Sequence, residues 1–176
     1  LHNRIKAVSM AWRMHPQCQV HRDEFVCIMG FASVEYAIVD MACSYAKAIT
    51  VPLASSTAGA DLGEIFANVE PVVLATTMAD LELCVEHATQ QKTIKSLLVF
   101  NYDERVTEEK NRIEAAKAKL KELSDNTNLV LLKDLIEYGK KQAFSFLPMA
   151  ENENEKLAVI IHSSGSTGKP KGACIA

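Results

Sequence analysis

Phe25-Val-Cys-Ile-Met-Gly-Phe-Ala-Ser-Val-Glu-Tyr-Ala-Ile-Val-Asp-Met-Ala-Cys-Ser-Tyr-Ala-Lys-Ala-Ile-Thr-Val-Pro-Leu53 decides the fold of this chain. Phe25 to Met29 is a short apolar run closed by Gly30, the pattern of a buried strand. Ser33 then offers an N-cap hydroxyl, and Ser33 to Lys47 reads as a helix. Ile49 to Leu53 reads as the next strand. Pro52 has no N–H for a ladder, which places it at that strand's end or makes the strand an edge.

The alternation continues outward. Asp61 to Asn68 reads as a helix with Leu62, Ile65, Phe66 and Val69 clustered on one side. Val72 to Ala75 and Leu97 to Phe100 are two more strands, separated by a helix that carries Leu81, Leu83, Cys84, Val85 and Ala88. Their near-continuous apolarity calls for a sheet covered on both faces, and the repeated crossover spacing favours a parallel α/β sheet over a β-sandwich. Val106 to Leu123 reads as the most polar helix. Val106, Ile113 and Leu120 share a stripe, with i,i+4 pairing expected for Glu108 with Arg112 and Lys110 with Glu114. Packing on the sheet is its reading. A coiled coil is disfavoured because Glu109 breaks the second seam and the pattern lasts under three heptads. Leu129 to Leu132 reads as a strand and Leu135 to Lys141 as a helix. Pro148 to Lys156 reads as a polar loop whose acidic run is solvated, and Leu157 to Ile161 as a buried strand.

Upstream, Ile5, Val8, Met10, Ala11 and Trp12 mark a helix already under way near the first residue. Downstream, Gly172 to Ala176 looks like the opening of a strand. These ends carry the expectation that the sequence is a piece of a larger protein.

A length of 176 residues suits one sizeable core, and 48% hydrophobic with 23% charged residues is the composition of an ordinary globular domain. A net charge of -3 gives no general attraction for nucleic acid or anionic lipid. No apolar run reaches the roughly 20 residues of a membrane helix, and the start lacks the order of a signal peptide, so a cytoplasmic location is the simplest expectation. Cys18, Cys27, Cys43, Cys84 and Cys174 form no CxxC pair and read as small reduced core residues, and no tight spacing suggests zinc.

One stretch demands a chemical explanation: His162-Ser-Ser-Gly-Ser-Thr-Gly-Lys-Pro-Lys-Gly172. Its glycines let backbone approach a ligand, the hydroxyls of Ser163, Ser164, Ser166 and Thr167 can donate to oxygen atoms, and Lys169 and Lys171 add positive charge. Together they suit a phosphate group. It is not the P-loop of nucleotide hydrolases, since Ser163 stands where that pattern has glycine and Pro170 where it has Ser or Thr. Composition alone fits a flexible surface turn equally well.

The string Ser163 to Gly172 closely resembles the glycine-rich loop of the adenylate-forming superfamily, which includes acyl-CoA synthetases, luciferases and peptide-synthetase adenylation domains. Phe25 to Leu53, Ala67 to Ala75 and Leu97 to Glu104 further resemble the adenylation domain of carboxylic acid reductases, and the resemblance spans nearly the whole chain. It implies a partial adenylation-domain fold, residues 1–176 being an N-terminal fragment that ends just after the phosphate loop. It implies activation of a carboxylic acid by ATP to an acyl-adenylate, ahead of reduction to an aldehyde. An acyl-CoA ligase and a noncatalytic structural fragment are the alternatives. By match to the loop, Ser163, Ser164, Ser166 and Thr167 would contact phosphate, and Gly165, Gly168 and Gly172 would shape the loop. Lys171 would stabilise charge as the catalytic candidate, while Lys169 holds a variable position. Mg2+ is implied with ATP, though no carboxylate is assignable to it. Phosphopantetheine and NADPH are implied for a carrier domain and a reductase domain beyond these residues. His162 replaces a bulkier residue and reads as packing the loop, with titration as the alternative. Lys47 stands at a helix end where such reductases often have glycine.

Overall fold

The computed structural model describes residues 1–57, 59–124, 126–149, 151–152, 155–164 and 170–176. The chain runs α1 (His2–Met14), β1 (Phe25–Met29), α2 (Val34–Ala46), β2 (Ile49–Leu53), α3 (Gly59–Val69), β3 (Val73–Thr77) and α4 (Leu81–Gln90). It continues with β4 (Ser96–Phe100), α5 (Thr107–Leu123), β5 (Asn128–Leu131), α6 (Leu132–Lys140), β6 (Val159–Ser164) and β7 (Pro170–Ile175). The strands make one sheet in the order β5-β4-β3-β1-β2-β6-β7, parallel throughout except for β7, which returns antiparallel to β6. This is the mostly parallel α/β sheet expected from the crossover spacing.

Alternate strand residues feed two cores. Val26, Ile28, Val73, Ala75, Leu98 and Phe100 face α1, α2 and α6. Cys27, Met29, Leu74, Leu97 and Val99 face α3, α4 and α5. The period of two along each strand thus makes a three-layer sandwich, and both faces of the strands must be apolar. Ser33 caps α2 as expected, its hydroxyl accepting from the Tyr36 N–H at 3.0 Å. Gly30 ends β1 with φ of +150°, and a Cβ there would lie 2.7 Å from Thr77 Cγ2. A side chain is excluded by backbone conformation and by the neighbouring strand end together.

Four sequence expectations need correction. β2 is interior, between β1 and β6, although Pro52 does lie one residue from its end. The Thr50 N–H points to β6, bonding Ala158 O at 2.9 Å. Two residues on, Pro52 therefore turns its missing donor toward β6, where the register is confined to Thr50 and Val159. Arg112 does not pair with Glu108. Its guanidinium crosses to α4 and grips Glu82 at 2.7 and 2.6 Å, with a further bond to Met78 O at 2.6 Å. The planar fork of Arg matches a carboxylate better across two helices than along one. Glu114 takes Lys117 at 3.0 Å in place of Lys110. Cys174 is exposed on the outermost strand while the other four cysteines are buried. Burial pushes the thiols of Cys18 up to about 11 and of Cys43 and Cys84 up to about 12, so these act as small apolar groups.

The fourth correction concerns β6. Ile160 is buried against the α3 side, but Ile161 is 46% exposed. Among the described residues no helix packs on the α2-side face of β6 and β7, α2 itself lying over β1 and β2, so apolarity here does not mean burial.

Candidate functional site

β6 runs parallel to β2, so the segment that follows it leaves from the carboxyl end of the sheet. In open α/β sheets that edge is where ligands bind. β7 returns beside β6 in the register His162 to Gly172, Ser163 to Lys171 and Ser164 to Pro170. Directly opposed residues of an antiparallel pair project from the same face. Ser163 and Lys171 therefore share the α2-side face at the loop end of the hairpin, and both are exposed. Pro170 opens the outermost strand, where a residue without an N–H is tolerated.

Of the sequence-derived candidates, the structure brings together Ser163, Lys171 and Gly172, and places the backbone of Ser164 at the end of β6. Gly165, Ser166, Thr167, Gly168 and Lys169 lie outside the described residues.

Gly172 has a packing role that sequence did not show. A Cβ there would lie 2.7 Å from Ile160 Cγ2 and 3.2 Å from His162 Nε2. Its bare backbone is the slot into which both side chains fit on the α3-side face. His162 is half-buried in that slot. Burial holds its pKa below the ordinary imidazole range, and Nδ1 is buried with no partner among the described residues. The packing reading of His162 thus has geometry behind it, one residue before Ser163.

Asp40, which the sequence reading did not single out, lines a separate groove of about 480 Å³ at the start of β6, together with Ser44, Thr50, Lys156 and Val159, at the opposite end of the hairpin from Ser163 and Lys171. Burial raises its carboxyl pKa while the Thr50 hydroxyl pulls it back. The legible signal was an acid between Val39 and Met41 in the most apolar part of α2.

An exposed hydroxyl and an exposed ammonium on one hairpin face fit a polyphosphate, which accepts hydrogen bonds and needs positive charge. For Mg2+ the fit is poorer: among the described residues no three His, Cys, Asp or Glu side chains cluster to hold an ion. No helix among them is long and apolar enough to cross a membrane.

The model of the AMP-binding enzyme family matches residues 4–176, and the chain belongs to that family. Carboxylic acid reductase of Mycobacterium tuberculosis is 33% identical over 168 residues, covering 96% of this chain and 14% of the relative. Carboxylic acid reductase of Segniliparus rugosus is 30% identical over 171 residues, covering 97% of this chain and 14% of the relative. The chain thus spans about one seventh of the length of these relatives. Among solved structures, the adenylation domain of the Segniliparus rugosus reductase, in complex with AMP and a co-purified carboxylic acid, superposes with a TM-score of 0.92. That match is at 27% identity over 99% of this chain and 27% of the other. An anthranilate CoA ligase shares the fold at a TM-score of 0.70 and 20% identity, covering 99% of this chain and 27% of the other.

Proposed function

We propose that residues 1–176 form the N-terminal part of an adenylation domain that activates a carboxylic acid with ATP, as the first stage of reduction to an aldehyde. The observation that carries this reading is the hairpin at the carboxyl end of the parallel sheet, with Ser163 and Lys171 opposed on one open face. In the activation step a carboxylate oxygen attacks the α-phosphorus of ATP. The acyl–phosphate bond forms, and the bond to the β-phosphate oxygen breaks to release pyrophosphate. Lys171 would neutralise charge on the departing phosphates, and the hydroxyls of Ser163, Ser164, Ser166 and Thr167 would donate to their oxygens. Gly165, Gly168 and Gly172 would let the backbone close around them. Mg2+ would accompany ATP, and no carboxylate among the described residues is assigned to it. A thioester stage on phosphopantetheine and reduction by NADPH would use other domains, and no residue here is assigned to them. The reductase reading is preferred to an acyl-CoA ligase because the reductase adenylation domain superposes at a TM-score of 0.92 and 27% identity, against 0.70 and 20% for the CoA ligase.

The test is carboxylate-dependent ATP–pyrophosphate exchange in the full-length protein that carries this segment. Across a panel of aromatic and aliphatic acids, exchange is expected with at least one. Lys171→Ala should lower it roughly tenfold to a hundredfold, the worth of a hydrogen bond to a charged group. A folded, ATP-binding protein without exchange on any acid overturns the assignment.

A further inference from the structure

The hairpin that carries Ser163 and Lys171 is thinly held. The ladder from β2 reaches β6 only at Val159, so from Ile160 to Ser164 the paired neighbour of β6 is β7. Among the described residues the sheet ends at β7. On the α2-side face Ile161 and Ala173 are exposed, and no helix among the described residues packs on them. A two-stranded ribbon is marginal on its own, and a glycine inside a strand weakens it further. What fixes Ser163 opposite Lys171 must therefore lie on the other face.

Two side chains pack there, both over Gly172. Ile160 Cγ2 lies 2.7 Å from the place a Cβ of residue 172 would take, and His162 Nε2 and Cδ2 lie 3.2 and 3.6 Å from it. Ile160 stands opposite Cys174, away from the loop. His162 stands opposite Gly172 itself, one pair before Ser163 and Lys171. On β6 it is the packed side chain nearest the loop, since Ser163 is exposed. Nδ1 of His162 is buried with no partner among the described residues, so the ring is seated by shape and not by a bond at that nitrogen. A flat ring laid across a strand glycine supplies the missing side-chain contact and pins register. Register matters here because a slip of one residue would turn Lys171 to the face opposite Ser163.

We infer that His162 is a positioning residue for the activation step: its ring, laid over Gly172, holds Ser163 and Lys171 side by side at the loop end of the hairpin. The inference rests on the adenylation reading above and deepens it, because His162 is assigned no contact with nucleotide or acid and acts through its neighbours. Misplacing a reacting or charge-stabilising group by about 1 Å costs up to roughly a hundredfold in rate. An ammonium that still reaches the phosphates from a loosened strand should lose less, about tenfold.

A double-mutant cycle in the full-length protein that carries this segment tests it, read by ATP–pyrophosphate exchange with an acid that supports exchange. His162→Ala is expected to lower kcat/KM for ATP about tenfold. In a Lys171→Ala background it should lower it less than about threefold, because the group it positions is gone. His162→Phe, a ring without nitrogens, should stay within about threefold of wild type. His162→Asn, too short to cover residue 172, should behave as Ala does and serves where Ala fails to fold. Backbone hydrogen exchange over residues 159–175, measured without nucleotide, should be at least about threefold faster in the Ala or Asn variant. The same fold loss in both backgrounds, or no loss in either, overturns the proposal. So does unchanged hydrogen exchange in the hairpin. A Phe variant as slow as Ala overturns it too, since the imidazole nitrogens would then act directly. A wild type that exchanges pyrophosphate with no acid overturns the adenylation reading instead, and hydrogen exchange alone then decides whether His162 holds the hairpin.

Discussion

Ile28 and Ile161 are isoleucines within strands of one parallel array, yet Ile28 is fully buried and Ile161 is 46% exposed. The difference lies in the layers above them. β1 is covered by α1 and α2 on one face and by α3 and α4 on the other. The hairpin of β6 and β7 keeps a helix on the α3 side alone among the described residues. A local apolar run therefore reports a strand, but burial is decided by what the topology stacks on it. β5-β4-β3-β1-β2 form a five-stranded unit between two helical layers, and the β6–β7 hairpin leaves one face open.

The sharpest way to break that comparison is to truncate one large side chain in each region. Phe100→Ala in β4, within the core, is expected to cost about 3–5 kcal/mol. Ile161→Ala is expected to stay within about 0.5 kcal/mol, as for surface positions. Urea unfolding followed by the fluorescence of Trp12, the sole tryptophan and fully buried, reads both. A loss above about 1.5 kcal/mol at Ile161 would mean its face is covered in solution.

Gly172→Ala comes next in size. Its added methyl meets the branched side chain of Ile160, which is itself buried, so the clash is expected to cost about 1–3 kcal/mol. Ile160→Ala removes the colliding Cγ2. In that background the Gly172→Ala cost should fall by half or more, and strictly additive effects would show that the slot is not what constrains residue 172.

Acid should separate the regions again. Burial lowers the pKa of His87 in α4 and of His162 in β6, so the folded state resists protonation while the unfolded chain accepts it near the ordinary 6.5. Stability from these groups is complete above that value. It is lost as pH falls below it, by up to about 1.4 kcal/mol per pH unit for each imidazole kept neutral. His87 is 8% exposed, edge-on to Phe66 at 5.4 Å, and its Nδ1 has no partner among the described residues. His162 is less enclosed. Thermal melts between pH 7.5 and 5 should lose more of their slope in His87→Leu than in His162→Asn. The reverse order would place the stronger proton coupling in the hairpin.

Much of the five-stranded unit was legible in the sequence because each strand is a short apolar run and each helix a periodic one. Ser33 announced its helix start, and Val73 to Thr77 and Ser96 to Phe100 lie within a residue or two of their sequence positions. What failed was anything that depends on a neighbour distant in sequence. Arg112 chose Glu82, 30 residues away, over Glu108 one turn away. Pro52 sits in an interior strand because the adjoining ladder is sparse at that point. Of the candidate site, residue types and order stand in the sequence, but by themselves glycines, hydroxyls and lysines fit a surface turn as well as a phosphate loop. The opposition of Ser163 with Lys171, and the slot at Gly172, depend on strand register that a single sequence does not carry.

The smallest effect concerns a helix end in the stable unit. Lys47 closes α2 in the left-handed region, with φ of 59° and ψ of 32°, its N–H bonding back to Cys43 and Ser44 carbonyls. A side chain there costs roughly 1–2 kcal/mol that glycine avoids. Against that, Lys47 Nζ approaches Met149 Sδ at 3.6 Å, which holds part of the segment leading to the hairpin. Lys47→Gly is expected to stabilise by about 0.5–1 kcal/mol net. Lys47→Ala keeps the strained backbone and loses the contact, so it should be neutral or slightly destabilising. Both variants lose the Met149 contact, so the difference between them isolates the backbone, and if glycine and alanine behave alike the left-handed conformation at residue 47 carries little strain.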